Sequence, residues 1–294
     1  MEIADLKTLE AVARHGSMNR AAVELHTVQS NVTARIRSLE ESLGVVLFQR
    51  HARGVTATPA AERLLPFAGR IRRLLAEAQA AARDDGDPNG QLQLGGLETT
   101  TALRLAPLLS LFAKTYPQVR LVISAGTTAG LSREVVACGL DGAFVAGPIN
   151  HPDLVQETMF TEELVMVTSP SIRSLRALAN VGDVKTIVFQ MGCSYRLRLE
   201  AILAEMGMIA AKPLEFGSLD TIVSCVAAGV GVTLLPRGVV AAAAKAGKVA
   251  IHRLPPEQAR VQTVFIRRRD GYVSSALTAF LDIARNGGAL REAA

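Results

Sequence analysis

Residues 16–59 read GSMNRAAVELHTVQSNVTARIRSLEESLGVVLFQRHARGVTATP. Ser17 is placed to cap a short helix in which Ala21, Ala22 and Leu25 stand at contact spacing. The two alanines leave room for a second helix to approach closely. His26 and Thr27 make the turn, and Thr27 is the expected N-cap of the next helix. There Val32, Ile36, Leu39 and Leu43 recur at steps of four, three and four, one apolar stripe facing a core. Ser30, Ala34, Arg37 and Ser38 point the opposite way, with Asn31 beside them and Gln29 and Thr33 flanking the stripe. Gly44 is the expected stop. A helix polar at its start and apolar on one side suits the major groove of duplex DNA.

An ordinary amphipathic surface helix would show the same stripe. Three additions favour the reader: a short helix directly upstream, a basic hairpin-like stretch Arg50-His51-Ala52-Arg53-Gly54 where a wing would lie, and the spacing of the whole block. That spacing resembles the winged helix-turn-helix of the LysR-type transcriptional regulators. It rests on Gly16-Ser17, Ala21-Ala22, Leu25, Thr27 to Thr33, Arg35 to Glu40, Leu43-Gly44, Leu47 to Arg50, Arg53 and Thr56 to Pro59. The residue reading and the resemblance together make Gln29, Ser30, Asn31, Thr33, Arg35, Arg37, Arg50 and Arg53 the expected contacts to double-stranded operator DNA. Charge alone would not find this block. Up to residue 58, seven basic residues (Lys7, Arg14, Arg20, Arg35, Arg37, Arg50, Arg53) face six acids (Glu2, Asp5, Glu10, Glu24, Glu40, Glu41). The whole chain carries a net charge of +5 and a pI near 9.4, compatible with phosphate contacts but uninformative by itself.

A chain of 294 residues, 49% hydrophobic and without tryptophan, can build a large aliphatic interior and does not read as disordered. No apolar run approaches the roughly twenty residues of a membrane helix. Glu2, Asp5 and Lys7 interrupt the N-terminus, so no signal segment is read and a cytoplasmic location is expected. Cys138, Cys193 and Cys225 are odd in number and widely spaced, which argues against a zinc site or disulfide framework and for a reducing compartment. No cofactor or metal is expected.

Beyond the wing, Thr58 and Pro59 open a helix expected over 59–85, about 40 Å long. Leu64, Ala68, Ile71, Leu75, Ala78 and Ala82 form an alternating four-three seam, with Pro66 inside it as a kink. A single helix buried on its own domain is the alternative; the long seam with a polar reverse face favours pairing with a second copy. The family resemblance implies a linker and dimerisation helix here, and so a homodimer or homotetramer. Ala61 stands where that family often has glycine, with no functional consequence expected. Asp84-Asp85-Gly86-Asp87-Pro88-Asn89-Gly90 breaks the helix.

From residue 91 short apolar runs alternate with helical patterns. Strands are read at 91–97, 119–124, 142–146, 164–168, 186–189, 230–235, 249–252 and 262–267, with helices at 101–115, 129–138, 195–206 and 219–227. That alternation means an α/β fold with mostly parallel sheets. The resemblance extends through this region and implies an effector domain of two lobes joined by crossing strands. The fold class is therefore an all-α winged helix-turn-helix N-terminal domain, a long linker helix and an α/β two-lobed (Rossmann-like) effector-binding domain. The corresponding segments are 1–58, 59–87 and 88–294, with lobe one at 91–162 and 267–294 and lobe two at 163–266. Residues 163–168 and 261–266 are the expected crossovers.

Ligands of α/β sheets bind beyond the carboxyl ends of strands, against helix N-termini. Thr99, Thr100 and Thr101 follow the first strand; Thr127 and Thr128 follow the second. Cys193 and Ser194, after Gly192, open the helix with Tyr195 and Arg196, and Ser218 opens the next. Each alone is an N-cap. Together they are the expected contacts of a small anionic effector converging on one cleft. Cys193, at a helix start beside Arg196, also raises the alternative of a redox-responsive regulator, which needs a thiol of lowered pKa. A plain pocket-lining thiol is the simpler reading. Against an enzyme, the chain has no nucleophile elbow, P-loop, HExxH or complete Rossmann glycine fingerprint. Against a pure solute receptor, a DNA reader stands in front.

Overall fold

The computed structural model describes residues 1–51, 54–179, 184–208 and 211–292. Arg53, at the expected wing tip, lies outside them. The chain divides into two compact units, the first holding 1–83 with 137–139 and the second the remainder.

In the first unit, α1 (Ile3–His15), α2 (Met18–Glu24) and α3 (Gln29–Leu43) precede a hairpin of β1 (Phe48–His51) and β2 (Gly54–Ala57), then α4 (Pro59–Arg83). Leu6, Leu9 and Val12 of α1, Ala21 and Ala22 of α2, and Val32, Ile36 and Leu39 of α3 share one core with Leu47, Phe48, Ala61 and Ala68. Ser17 caps α2, accepting from the Arg20 N–H at 3.4 Å. The expected cap at Thr27 moves on by one residue: Val28 is the N-cap of α3, and the Thr27 hydroxyl instead accepts from Asn31 Nδ2 at 2.9 Å. Leu43, the fourth member of the stripe, is 39% exposed, because the helix turns left-handed at Gly44 before the core reaches it.

Glu40 Oε1 accepts from the Leu47 and Phe48 N–H groups at 2.7 and 3.1 Å, tying the hairpin to α3. Gly54 meets Gly16 so closely that an added Cβ would lie 2.4 Å from the Gly16 oxygen, at a φ of +136°. Only glycine allows this approach of hairpin to helix bundle. Thr58 caps α4, its hydroxyl accepting from Ala61 N at 3.3 Å.

The long seam of α4 divides. Ala68 is buried against the first unit's core and Leu64 and Leu65 pack beside it. The apolar residues left open are Phe67, Ile71 and Leu74, at 58%, 37% and 41% exposure. The outward seam is therefore rotated from the expected one: it runs through Phe67, Ile71, Leu74 and Ala78, while Leu75 is half-buried.

The second unit begins with β3 (Gly90–Gly96), a short α5 (Glu98–Thr100), a π-turn over Thr101–Leu105 and α6 (Ala106–Thr115). β4 (Val119–Ala125), α7 (Thr128–Val136), β5 (Gly142–Ala146) and β6 (Leu154–Thr168) follow. Then come α8 (Leu175–Ala179), β7 (Lys185–Phe189), α9 (Ser194–Glu205), β8 (Ala211–Phe216), α10 (Leu219–Ala227) and β9 (Thr233–Pro236). The unit ends with α11 (Arg237–Lys245), β10 (Ala250–Arg253), α12 (Pro256–Ala259), β11 (Arg260–Arg268) and α13 (Ser275–Glu292).

The sheet is mixed, not mostly parallel. β3 pairs in parallel with β4 and β5, and β7 with β8. β11 instead runs antiparallel to β5 and β6, and β6 antiparallel to β9 and β10. The cause is β6, a fifteen-residue strand serving both lobes. Its first part, Leu154 to Glu163, pairs with β11; Leu164 to Thr168 pairs with β9 and β10. Residues 164–168, expected as part of a crossover, therefore lie inside the second lobe, and the crossing falls near Phe160 to Glu163 against Arg260 to Thr263.

The first lobe's core is aromatic: Phe144 stands with ring centroids 5.0 Å from Phe265, 6.1 Å from Phe160 and 6.2 Å from Phe280. Gly142 lies beneath Phe265, where a Cβ would fall 2.0 Å from the ring. The second lobe packs Val165, Val167, Ile187, Ile222, Val226, Leu235 and Val240. Asp84 closes the unit's start onto α13: its Oδ2 accepts from the Tyr272 hydroxyl at 2.9 Å and the Ser275 N–H at 2.8 Å. Those bonds, the Ser275 N–H first, hold its carboxyl at about 2.

Candidate functional site

Two places can hold a partner. The first is the outer face of α3. Gln29, Ser30, Asn31 and Arg37 are exposed there and Thr33 is half-buried. Gln29 Nε2 reaches the Thr33 hydroxyl at 3.5 Å and Asn31 is held by Thr27, so their amides are steered rather than loose. Arg35 turns inward, its Nη1 3.2 Å from Asp5 Oδ1 of α1. Its first task is to hold the two helices together. Arg50 is exposed on β1, opposite Val55.

The second place is a cavity of about 370 Å³ between the lobes of the second unit. Leu97, Glu98, Thr99, Gly126, Thr127 and Arg133 line it from the first lobe; Phe189, Gln190, Met191, Cys193, Tyr195 and Phe216 from the second. Of the eight expected effector contacts, Thr99, Thr127 and Cys193 line this cavity. Thr128 and Ser194 line an adjoining one with Pro148, Ile149 and Arg196; both hydroxyls are buried there without a hydrogen-bond partner among the described residues. Thr100, Thr101 and Ser218 line neither cavity. Thr100 turns into the protein at 4% exposure, Thr101 Oγ1 is buried against Gly96, and Ser218 faces outward. The expected convergence on one cleft thus divides, because successive residues of a helical turn point about 100° apart.

Among the described residues, two hydrogen bonds donated by backbone N–H groups cross the cleft. Glu98 Oε1 accepts from the Leu219 N–H at 2.7 Å, and Ala129 N donates to the Gly192 oxygen at 3.3 Å. The start of α10, expected to await an anion, is already met by the chain's own carboxylate. Tyr195 is 4% exposed; its hydroxyl faces Thr99, yet among the described residues no hydrogen bond of good geometry closes on it. Burial pushes that phenol up to about 12, so it stays a neutral donor at pH 7.

Residues 3–62 match the family described as the bacterial regulatory helix-turn-helix protein, lysR family, and residues 85–289 match the LysR substrate binding domain. The chain belongs to the LysR family of transcriptional regulators. It is 41% identical to the HTH-type transcriptional regulator GltR of Bacillus subtilis (strain 168), over 97% of each chain. It is 40% identical to the HTH-type regulator CzcR of Bacillus anthracis, over 96% of each. The crystal structure of full-length CbnR complexed with its target DNA shares the fold at a TM-score of 0.69 and 24% identity, covering 98% of this chain and 100% of that one.

As a LysR-family regulator the protein is a DNA-binding transcription factor, and the redox alternative is not favoured. Burial raises the Cys193 thiol above its ordinary range, outweighing the N–H groups of Arg196 and Tyr195 that would lower it. The Arg196 charge is itself committed, at 3.0 Å to Glu200 and 2.6 Å to Glu215. A buried thiol held protonated is a poor sensor.

Sequence reasoning missed Glu98, Arg133, Phe189, Gln190, Tyr195 and Phe216 as lining residues of this regulator's cavity. Glu98 directly precedes the threonine run, so a signal was present. A charged residue at the carboxyl end of the first strand of an α/β lobe belongs to the same crevice as its hydroxyl neighbours.

Proposed function

We propose that the regulator is switched by a small molecule bound between its lobes. In this reading residues 1–58 bind operator DNA, 59–87 pair two copies, and 88–294 receive the effector. The protein works in the cytoplasm and performs no catalytic step. Among the described residues no helix is long and apolar enough to cross a membrane. The observation that carries the DNA half is α3, with Val32, Ile36 and Leu39 at 1% exposure on one side and a polar face, steered by side-chain bonds, on the other.

On this reading Gln29, Ser30, Asn31, Thr33 and Arg37 meet the major groove, Arg50 and Arg53 the flanking phosphates, and Arg35 positions the helix. Thr99, Thr127 and Cys193 join Glu98, Arg133 and Tyr195 around the effector. The effector's different affinity for two lobe arrangements would alter the operator complex, and operator DNA would alter effector affinity by the same factor.

The test is fluorescence anisotropy on an operator selected by the protein itself from random duplexes. Arg37→Ala and Gln29→Ala are each expected to cost about 1–3 kcal/mol on the selected sequence and little on unrelated DNA. Arg50→Ala is expected to weaken both and flatten the salt dependence by about one unit of slope. Equal losses on both DNAs from Arg37→Ala and Gln29→Ala would remove α3 from the groove.

A further inference from the structure

The cavity between the lobes holds two opposite charges, an enclosed hydroxyl and an apolar wall. Glu98 is half-buried, with Oε1 given to the Leu219 N–H. A carboxylate has about four acceptor sites, so it retains capacity for a further donor. Arg133 stands at the more exposed rim, on α7. The Tyr195 hydroxyl, enclosed beside Thr99, closes no hydrogen bond of good geometry among the described residues. Phe189, Phe216, Met191 and Leu97 supply the wall.

A purely anionic guest meets a difficulty here. Its charge would sit beside the Glu98 carboxylate with part of the water removed, and like charges so placed repel strongly. A purely cationic guest suits Glu98 but brings nothing to Arg133. A molecule carrying both charges answers both, and an uncharged branch or ring on it answers the apolar wall. The volume, about 370 Å³, is at the lower end of small-molecule sites, which run roughly from 300 to 1,000 Å³.

We infer that the effector is a zwitterion with an apolar tail, of the class of the aliphatic or aromatic α-amino acids. This rests on the reading that the effector binds between the lobes. The ammonium lies against Glu98, the carboxylate faces Arg133, and the Tyr195 hydroxyl donates to a ligand oxygen. The tail lies on Phe189 and Phe216.

The experiment is calorimetric titration of the full-length protein with two matched series. One is L-leucine, 4-methylpentanoate and 3-methylbutylamine; the other is L-phenylalanine, 3-phenylpropanoate and 2-phenylethylamine. Each trio keeps one skeleton and removes first the amine, then the carboxylate. At least one amino acid is expected to bind, with both of its half-ligands weaker by about 10-fold or more, since charge-assisted hydrogen bonds are the strong ones.

Glu98→Gln keeps an oxygen for the Leu219 N–H and so keeps the fold, which its melting temperature checks. It is expected to bring the amino acid down to the deaminated acid and leave the acid itself no weaker. Arg133→Gln, on the rim, is expected to weaken amino acid and acid together. The inference is overturned if an acid lacking the amine binds as tightly as its amino acid, if Glu98→Gln is without effect, or if none of the six compounds binds. The cleft reading fails separately: an amino acid that binds equally well to wild type, Glu98→Gln, Tyr195→Phe and Thr127→Val is seated elsewhere. An acid preferred by wild type and weakened by Tyr195→Phe keeps the cleft and removes the zwitterion.

Discussion

The double variant Ile71→Lys, Leu74→Lys is expected to sediment as a monomer and to lose about 10²–10⁴-fold in operator affinity. Both residues lie on the open apolar line of α4, at 37% and 41% exposure, while Leu64, Leu65 and Ala68 are already spent on the core of their own unit. The outward line has only a second copy to cover it in this reading. Placing lysines on it sets like charges across a desolvated seam, the arrangement that coiled coils least tolerate. The loss of DNA affinity follows because a symmetric operator is held by two readers, and a single reader forgoes the second, intramolecular contact. Ala68→Lys would be a poor substitute, since it would unfold the first unit. Analytical ultracentrifugation and anisotropy on one preparation give both answers. A double variant that sediments like wild type would move the pairing surface off this line.

Phe144→Ala is expected to destabilise the second unit by about 3–5 kcal/mol while the first unit keeps its own transition. Phe144 is fully buried and touches three other rings at the centre of the first lobe. Removing it leaves a cavity that β5, hydrogen-bonded to β3 and β11 on its two sides, is poorly able to collapse into. Lost edge-on and tilted ring contacts add to the loss of buried area. Phe144→Leu should cost far less. Urea denaturation followed by circular dichroism should show the second unit's transition moving alone to lower urea. A midpoint within error of wild type would mean that the ring cluster is not the lobe's core.

The parts of the fold that sequence made visible are those whose burial pattern is local. Val32, Ile36 and Leu39 announce α3 because each step returns to the same face, and Thr58-Pro59 announces α4 through its cap. Leu43 shared the same period but was left outside, because a period says nothing of where the neighbouring element ends. β6 was read as five residues instead of fifteen: Gln156, Glu157 and Thr158 are polar on the stretch that pairs with β11, so hydrophobic runs did not mark it. β8 (Ala211–Phe216) was missed because Lys212, Pro213 and Glu215 break the apolar run. The cavity was legible only in outline. Thr99 and Thr127 follow strands and were found; the bond from Leu219 to Glu98 joins residues 121 positions apart and leaves no local pattern. Reading hydroxyls as anion hooks also hid the carboxylate beside them.

The two bonds that cross the cleft, from Leu219 to Glu98 and from Ala129 to Gly192, have a bearing on time as well as affinity. A solute cannot reach the inner wall by diffusion alone if these ties must first part. Its capture would then run at the pace of the lobes' own opening. At low concentration the observed rate would climb in proportion to solute, and at high concentration it would level off at the opening rate. Stopped-flow mixing over a wide concentration range reads this directly, and a strictly linear rise would mean that the ties are no barrier. With a plateau, the regulator would ignore brief pulses of its effector and answer only to supplies that outlast the opening of the cleft.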